Sequence, residues 1–160
     1  ADEHSERELE LALVQNLRSF LSEMGGLFTF VGTQHRLEVG GQEYFIDLLL
    51  FHRRLRALVA IELKVRSFQP EHKGKMEFYL EALDTQERLA DENPSIGIII
   101  CRDKNKTVVE YALRTARRPI GVATYTVSAE LPEAYRAELP SPEAIAERLK
   151  IWDVQEAEDE

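Results

Sequence analysis

The chain has 160 residues, 44% apolar and 31% charged, with a formal net charge of −9. That is one domain's length of chain with apolar surface enough for a core, and no apolar run approaches the roughly eighteen residues of a membrane span. A single cysteine, Cys101, excludes an internal disulfide framework and a multi-thiolate zinc site and points to a reducing cytoplasm, while the acidic opening ADEHSERELE does not read as a signal peptide.

The negative charge sits at the ends. Residues 1–10 hold five acids and one base, residues 151–160 hold five acids and no base, and the stretch between carries 19 of each. Binding to a polyanion depends on the phosphates neutralised locally, so this distribution leaves a basic groove open. The ends 1–5 and 153–160 read as solvated, disordered tails on one domain spanning 1–160.

Leu9, Leu13, Leu17, Phe20, Leu21 and Met24 recur at helical spacing before Gly25-Gly26, which predicts a helix over 6–24. Three runs rich in aromatic and β-branched residues follow, LFTFVGTQHRLEV, EYFIDLLLF and LRALVAIELKV. Gly40-Gly41 and His52-Arg53-Arg54 separate them, which predicts two consecutive hairpins. Pro70 opens a second helical stretch, HKGKMEFYLEALDTQERLAD; Ile96 to Cys101 reads as a short buried strand, TVVEYALRTA as a third helix and Ile120 to Val127 as a last strand. A closing segment built on Pro132, Pro140 and Pro142 is expected to hold short helices ending near Trp152. The predicted fold is α/β in the α+β sense, a mixed sheet with helices on its faces and the order αβββαβ followed by one more helix and strand.

Hairpin registers then place side chains. If Gly40 and Gly41 centre the first turn, Gln34 falls opposite Asp47 and Arg36 opposite Phe45. If Arg53 and Arg54 centre the second, Asp47 faces Ala60 and Phe45 faces Glu62, which leaves Asp47 and Glu62 diagonal on one face at roughly 7 to 8 Å. Lys64 shares that face. The opposite face receives Leu37, Tyr44, Ile46, Leu48, Leu50, Val59, Ile61 and Leu63, an apolar layer suited to packing a helix.

Carboxylates among Phe45, Leu49, Phe51 and Leu58 need a partner, because an unpaired ion there costs several kcal/mol or takes up a proton. One reading is an internal salt bridge of Asp47 or Glu62 with Lys64 or Arg36. The other starts from two acids sharing one lysine, which leaves a negative charge for a divalent cation to span. Such an ion acidifies bound water and stabilises charge on a phosphorane-like transition state, chemistry suited to phosphodiester hydrolysis.

Asp47, fourteen residues, then Glu62-Leu63-Lys64 resembles the D…ExK signature of the PD-(D/E)XK nuclease superfamily, whose core follows the same αβββαβ order. The run RLEVGGQEYFIDLLLFHRRLRALVAIELK, with VGTQ before it and GKMEFYLEALD, SIGIIIC and RPIGVATY after it, is similar to the C-terminal nuclease domain of YhcG-like bacterial proteins over roughly residues 6 to 140. The resemblance implies a restriction-endonuclease-like fold and a Mg²⁺- or Mn²⁺-dependent nuclease acting on DNA in the cytoplasm, not at a membrane. It also implies roles. Asp47 and Glu62 would be metal-binding acids, the Leu63 main-chain carbonyl a further ligand and Lys64 the catalytic lysine. Glu10, with Glu8 behind it, would offer another acid from the first helix.

Gln34 would contact water or phosphate, or else simply satisfy Asp47. Lys75 and Tyr79, four apart on one helical face, correspond to a Gln-x-x-x-Tyr pattern of RecB-like nucleases, with Lys75 a departure from it; Lys73 would be another phosphate contact. A homodimer, and an N-terminal specificity domain absent from this chain, belong to the same set of expectations. His4, His35, His52 and His72 lack mutual metal-ligand spacing and read as packing or surface residues. The alternative function is a nuclease-fold module that holds nucleic acid or a partner protein without cutting.

Overall fold

The computed structural model describes residues 27–64, 66–101 and 104–124. The expected helix over 6–24, with Glu8 and Glu10 on it, the last strand beyond Thr124, the closing segment and both acidic tails lie outside these residues. Within them the order is β1 (Phe28–Val39), β2 (Gln42–His52), β3 (Ala57–Leu63), α1 (Pro70–Gln86), β4 (Asn93–Cys101), α2 (Lys106–Arg114) and β5 (Ile120–Thr124). The strands form one sheet in the order β1-β2-β3-β4-β5. The first three are antiparallel neighbours, whereas β3, β4 and β5 run parallel through the helical crossovers. The mixed α+β sheet expected from the sequence is the one found.

Turn chemistry explains the two hairpins. Gly40 and Gly41 both adopt positive φ, +60° and +79°, which makes the two-residue turn whose twist suits the strands it joins. The second turn is longer than expected. His52 pairs with Ala57, Arg56 N–H donates to the His52 carbonyl at 2.8 Å, and Arg56 carries the left-handed φ of +53°. His52 closes it from within, its buried Nδ1 accepting the Leu55 N–H at 3.0 Å.

The helices start where the sequence puts them. Pro70, whose fixed φ and missing N–H suit a first helical position, opens α1, and the Asn105 side chain accepts the Val108 N–H at 3.2 Å to open α2. The first of these ends at Gln86, earlier than its periodicity suggests, because the Glu87 and Arg88 N–H groups both turn back to the Leu83 carbonyl.

The core corrects the placing of Tyr44. Ala60 pairs with Leu49 on one side and Gly97 on the other, and a Cβ at Gly97 would meet Met76 and Leu80 of α1. So α1 packs on the face of Leu49, Leu58 and Ala60, the face of the acids. Met76, Tyr79, Leu80 and Leu83 close over those residues together with Ile99, Ile120 and Val122. Tyr44 also reaches α1, its ring 4.9 Å from that of Phe78, although it lies an odd number of residues from Leu49. The alternation of β2 therefore changes phase between Tyr44 and Leu49, beside Gln34, whose φ of +47° breaks the extended path of β1. Leu48, Leu50, Val59, Ile61 and Leu63, on the other side of the sheet, are equally buried.

Gly97 marks the closest approach of helix and sheet. An added Cβ would sit 2.6 Å from Met76 Cγ and 2.8 Å from its sulfur. Gly97→Ala should lower stability by about 1–3 kcal/mol, the usual range for an overpacked core, and urea unfolding followed by circular dichroism measures it.

Candidate active site

The β2–β3 ladder runs from His52–Ala57 to Leu48–Ile61. One step on, Asp47 and Glu62 come opposite each other, and side chains take over the pairing. Asp47 N–H donates to Glu62 Oε1 at 3.0 Å, and Leu63 N–H donates to Asp47 Oδ2 at 2.9 Å. Each carboxylate thus accepts a main-chain proton from the other's strand. The sequence reading set Asp47 against Ala60; the longer turn moves the register by two residues, which keeps every side chain on its face and turns a diagonal pair into a direct one.

Gln34 and Lys64 complete the group. The Gln34 amide donates to Asp47 Oδ1 at 3.1 Å, from a backbone in the left-handed region that a residue with a Cβ occupies at a cost of about 1–3 kcal/mol. Lys64 Nζ lies 3.8 Å from Glu62 Oε2. Arg36, the other cation considered for these acids, is held by Glu43 at 2.9 Å and Glu38 at 3.2 Å.

Burial decides the electrostatics. Glu62 is 4% exposed, and loss of water together with the neighbouring Asp47 charge pushes its carboxyl up to about 7, against the opposing pull of the Asp47 N–H, Lys64 and Lys75. Tyr79 of α1 feels the same field: burial first, then the charges of Glu62 and Asp47, raise its hydroxyl well above the usual range and keep it protonated. Lys75 lies over the Tyr79 ring, its ammonium 5.5 Å from the centroid. Lys75 and Tyr79 are therefore brought to the acids as their spacing suggested. Lys73 is not; its ammonium pairs with Glu77 at 2.7 Å and donates to Thr115 at 3.0 Å, tying α1 to the end of α2.

The donor set fits a hard divalent cation. Asp47 and Glu62 supply carboxylate oxygens, and their mutual repulsion in a poorly hydrated place favours an added cation. In a strand the N–H and C=O of one residue point to the same neighbour, so the Leu63 carbonyl faces β2 as its N–H does. Among the described residues no group of three or more His, Cys, Asp or Glu could hold a metal ion, so a cation here would complete its shell with carbonyl and water oxygens, as Mg²⁺ commonly does.

One residue beside the lysines of this group was not singled out by the sequence. His72, three before Lys75 on the same helical face, lies close enough to Lys64 and Lys75 for their charges, after burial, to hold its imidazole below the usual pKa. The signal was present as the spacing of residues 72, 75 and 79.

Known proteins resemble this chain in sequence and in fold. The family model of the YhcG PDDEXK nuclease domain matches residues 1–140. "Putative nuclease YhcG" of Escherichia coli (strain K12) is 37% identical over 148 residues, 92% of this chain, and the chain spans 37% of that relative's length. Among solved structures, a repair endonuclease from Pyrococcus abyssi matches at 14% identity with a TM-score of 0.49, covering 66% of this chain and 44% of that one. An XisH family protein from Nostoc punctiforme matches at 13% identity with a TM-score of 0.46, covering 71% of this chain and 91% of that one.

A Glu62 carboxyl raised from 4.5 to about 7 binds its proton more tightly in the folded than in the unfolded chain, so without metal stability falls as pH rises through that window. The loss should be on the order of 3 kcal/mol. Glu62→Gln, which keeps an oxygen for the Asp47 N–H, should flatten the slope, as urea unfolding in chelator at pH 5 and pH 7.5 would read. An unchanged slope would remove Glu62 as its source.

Proposed function

This chain belongs to the YhcG PDDEXK nuclease family, and we propose that it is a metal-dependent nuclease domain that hydrolyses phosphodiester bonds in DNA through Asp47, Glu62 and Lys64. The observation that carries the reading is the pairing of Asp47 with a nearly buried Glu62 through each other's strand N–H groups, with the Lys64 ammonium 3.8 Å from Glu62. The pairing sets two acids side by side with little water, and a divalent cation would relieve their repulsion.

Asp47, Glu62 and the Leu63 carbonyl would hold Mg²⁺ or Mn²⁺. When bound, such an ion supplies Lewis acidity toward the phosphate and a more acidic water. The chain's own residues do the rest. Gln34 fixes the orientation of the Asp47 carboxylate by its amide hydrogen bond. Lys64, with its side chain partly open to solvent, presents an ammonium where the attacking water and the scissile phosphate would meet; it orients the one and neutralises charge growing on the other. Lys75, seated on the Tyr79 ring, attracts the phosphate backbone. Glu10 stands as a further metal-binding acid in the same proposal.

DNA in the cytoplasm is the proposed target, and duplex, single-stranded DNA and RNA compared in one assay decide it. Because the chain spans little more than a third of its E. coli relative, target choice is assigned to sequence outside this domain, and pairing of two copies belongs to the same proposal.

Asp47→Asn or Glu62→Gln should lower cleavage by about a thousandfold or more while far-ultraviolet circular dichroism and the melting temperature hold or rise. Lys64→Ala should cost about a hundredfold or more in kcat. EDTA should abolish turnover and Mg²⁺ restore it. Collapse of folding in both acid variants would instead mean a structural ion pair, and retained DNA binding without metal-dependent turnover would mean a module that binds without cutting.

A further inference from the structure

His72 is tied down on one side of its ring. The Gln69 N–H donates to His72 Nδ1 at 3.0 Å, and the His72 N–H returns to the Gln69 carbonyl at 2.9 Å. A ring nitrogen that accepts a hydrogen bond carries no proton, so the neutral imidazole holds its proton on Nε2. The ring edge rests against Phe68, centroids 5.8 Å apart, and Phe68 is itself buried, which fixes the direction of the free edge.

The groups facing His72 are mostly cationic. Burial, Lys64, Lys75 and Arg66 all disfavour a second proton on the ring, with only Glu71 pulling the other way. Lys64 also adjoins Glu62 at 3.8 Å, so the same lysine whose charge reaches His72 stands at the paired acids. Among the described residues none accepts the Nε2–H. Capping accounts for Nδ1, and a glutamate or glutamine at this helical position would do that much. What a histidine adds is a second, outward donor in a setting that favours an anion.

We propose that His72 is a substrate-positioning residue whose Nε2–H donates to a phosphate oxygen of the DNA strand next to the bond being cut. The inference rests on the nuclease reading above and assigns His72 to binding, apart from the cleavage step of Asp47, Glu62 and Lys64. A neutral donor grips phosphate without adding charge beside Lys64 and Lys75.

Two substitutions separate the ring's two nitrogens. His72→Asn keeps an oxygen where Nδ1 accepts the Gln69 N–H and removes the outer donor; His72→Gln restores an amide donor at the reach of Nε2. Each is compared with the wild-type 160-residue chain by anisotropy of a labelled DNA duplex in EDTA and by KM and kcat with Mg²⁺. His72→Asn should melt within a few degrees of wild type, bind the duplex about tenfold more weakly and raise KM by a similar factor with kcat within about twofold. His72→Gln should recover most of the affinity, and it carries the test alone, by an affinity near wild type, if the asparagine variant does not fold. Wild-type KM in His72→Asn, a fall in kcat alone, or a folded His72→Gln that binds no better than His72→Asn would overturn the assignment while the nuclease reading stood. A wild-type chain that cuts no DNA would remove both.

Discussion

Two carboxylates on adjacent buried strands cannot both shed water unless something replaces it, and the rest of this structure answers that requirement. Asp47 and Glu62 stand where the β2–β3 ladder stops, and each takes the main-chain N–H that the other's strand would have spent on the ladder. The exchange satisfies two backbone donors and half-solvates two acids with dipoles that cannot rotate away. It does not neutralise them. Glu62 is left with a strong tendency to hold a proton, a tension that the proposed cation would relieve.

The surrounding elements hold the pair in place. Gln34 accepts a left-handed backbone and carries its amide to Asp47, a local strain of the kind that clusters where a side chain must be aimed. Helix α1 lies on the acid face because Gly97 lets it approach and because β2 changes phase near Asp47, so Tyr79 and Lys75 arrive beside the carboxylates from above the sheet. The Lys73, Glu77 and Thr115 contacts and the Arg118 pairs with Glu81 and Asp84 then lock α1 to the segment around α2. The scaffold is ordinary packing; the specificity lies in which side chains it delivers to one spot.

Much of this was legible in the sequence, for identifiable reasons. Gly40-Gly41 announced a turn with two positive φ values, and the first hairpin's register follows from it, Arg36 opposite Phe45 included. Pro70 announced the start of α1. The second turn was not legible, because its left-handed residue is Arg56 and no glycine or asparagine marks it. The resulting slip was harmless to the site only because it was even. Tyr44 was set on the face away from α1 because strict alternation was carried through a strand that breaks it beside Gln34. Lys73 was drawn into the site by its neighbours in sequence, whereas the glutamate one turn later claims it. His72 was passed over because no metal-ligand spacing flagged it, though its neighbours across the fold give it a direction.

The central claim is that the Asp47–Glu62 pair holds a proton only until a divalent ion takes its place. Isothermal titration of Mn²⁺ into metal-free protein at pH 6, repeated in buffers of different ionisation enthalpy, counts the protons released on binding. The account predicts about one proton per ion at pH 6, falling toward none by pH 8, and neither release nor comparable affinity in Glu62→Gln. Binding without proton release, or the same affinity in Glu62→Gln, would contradict it.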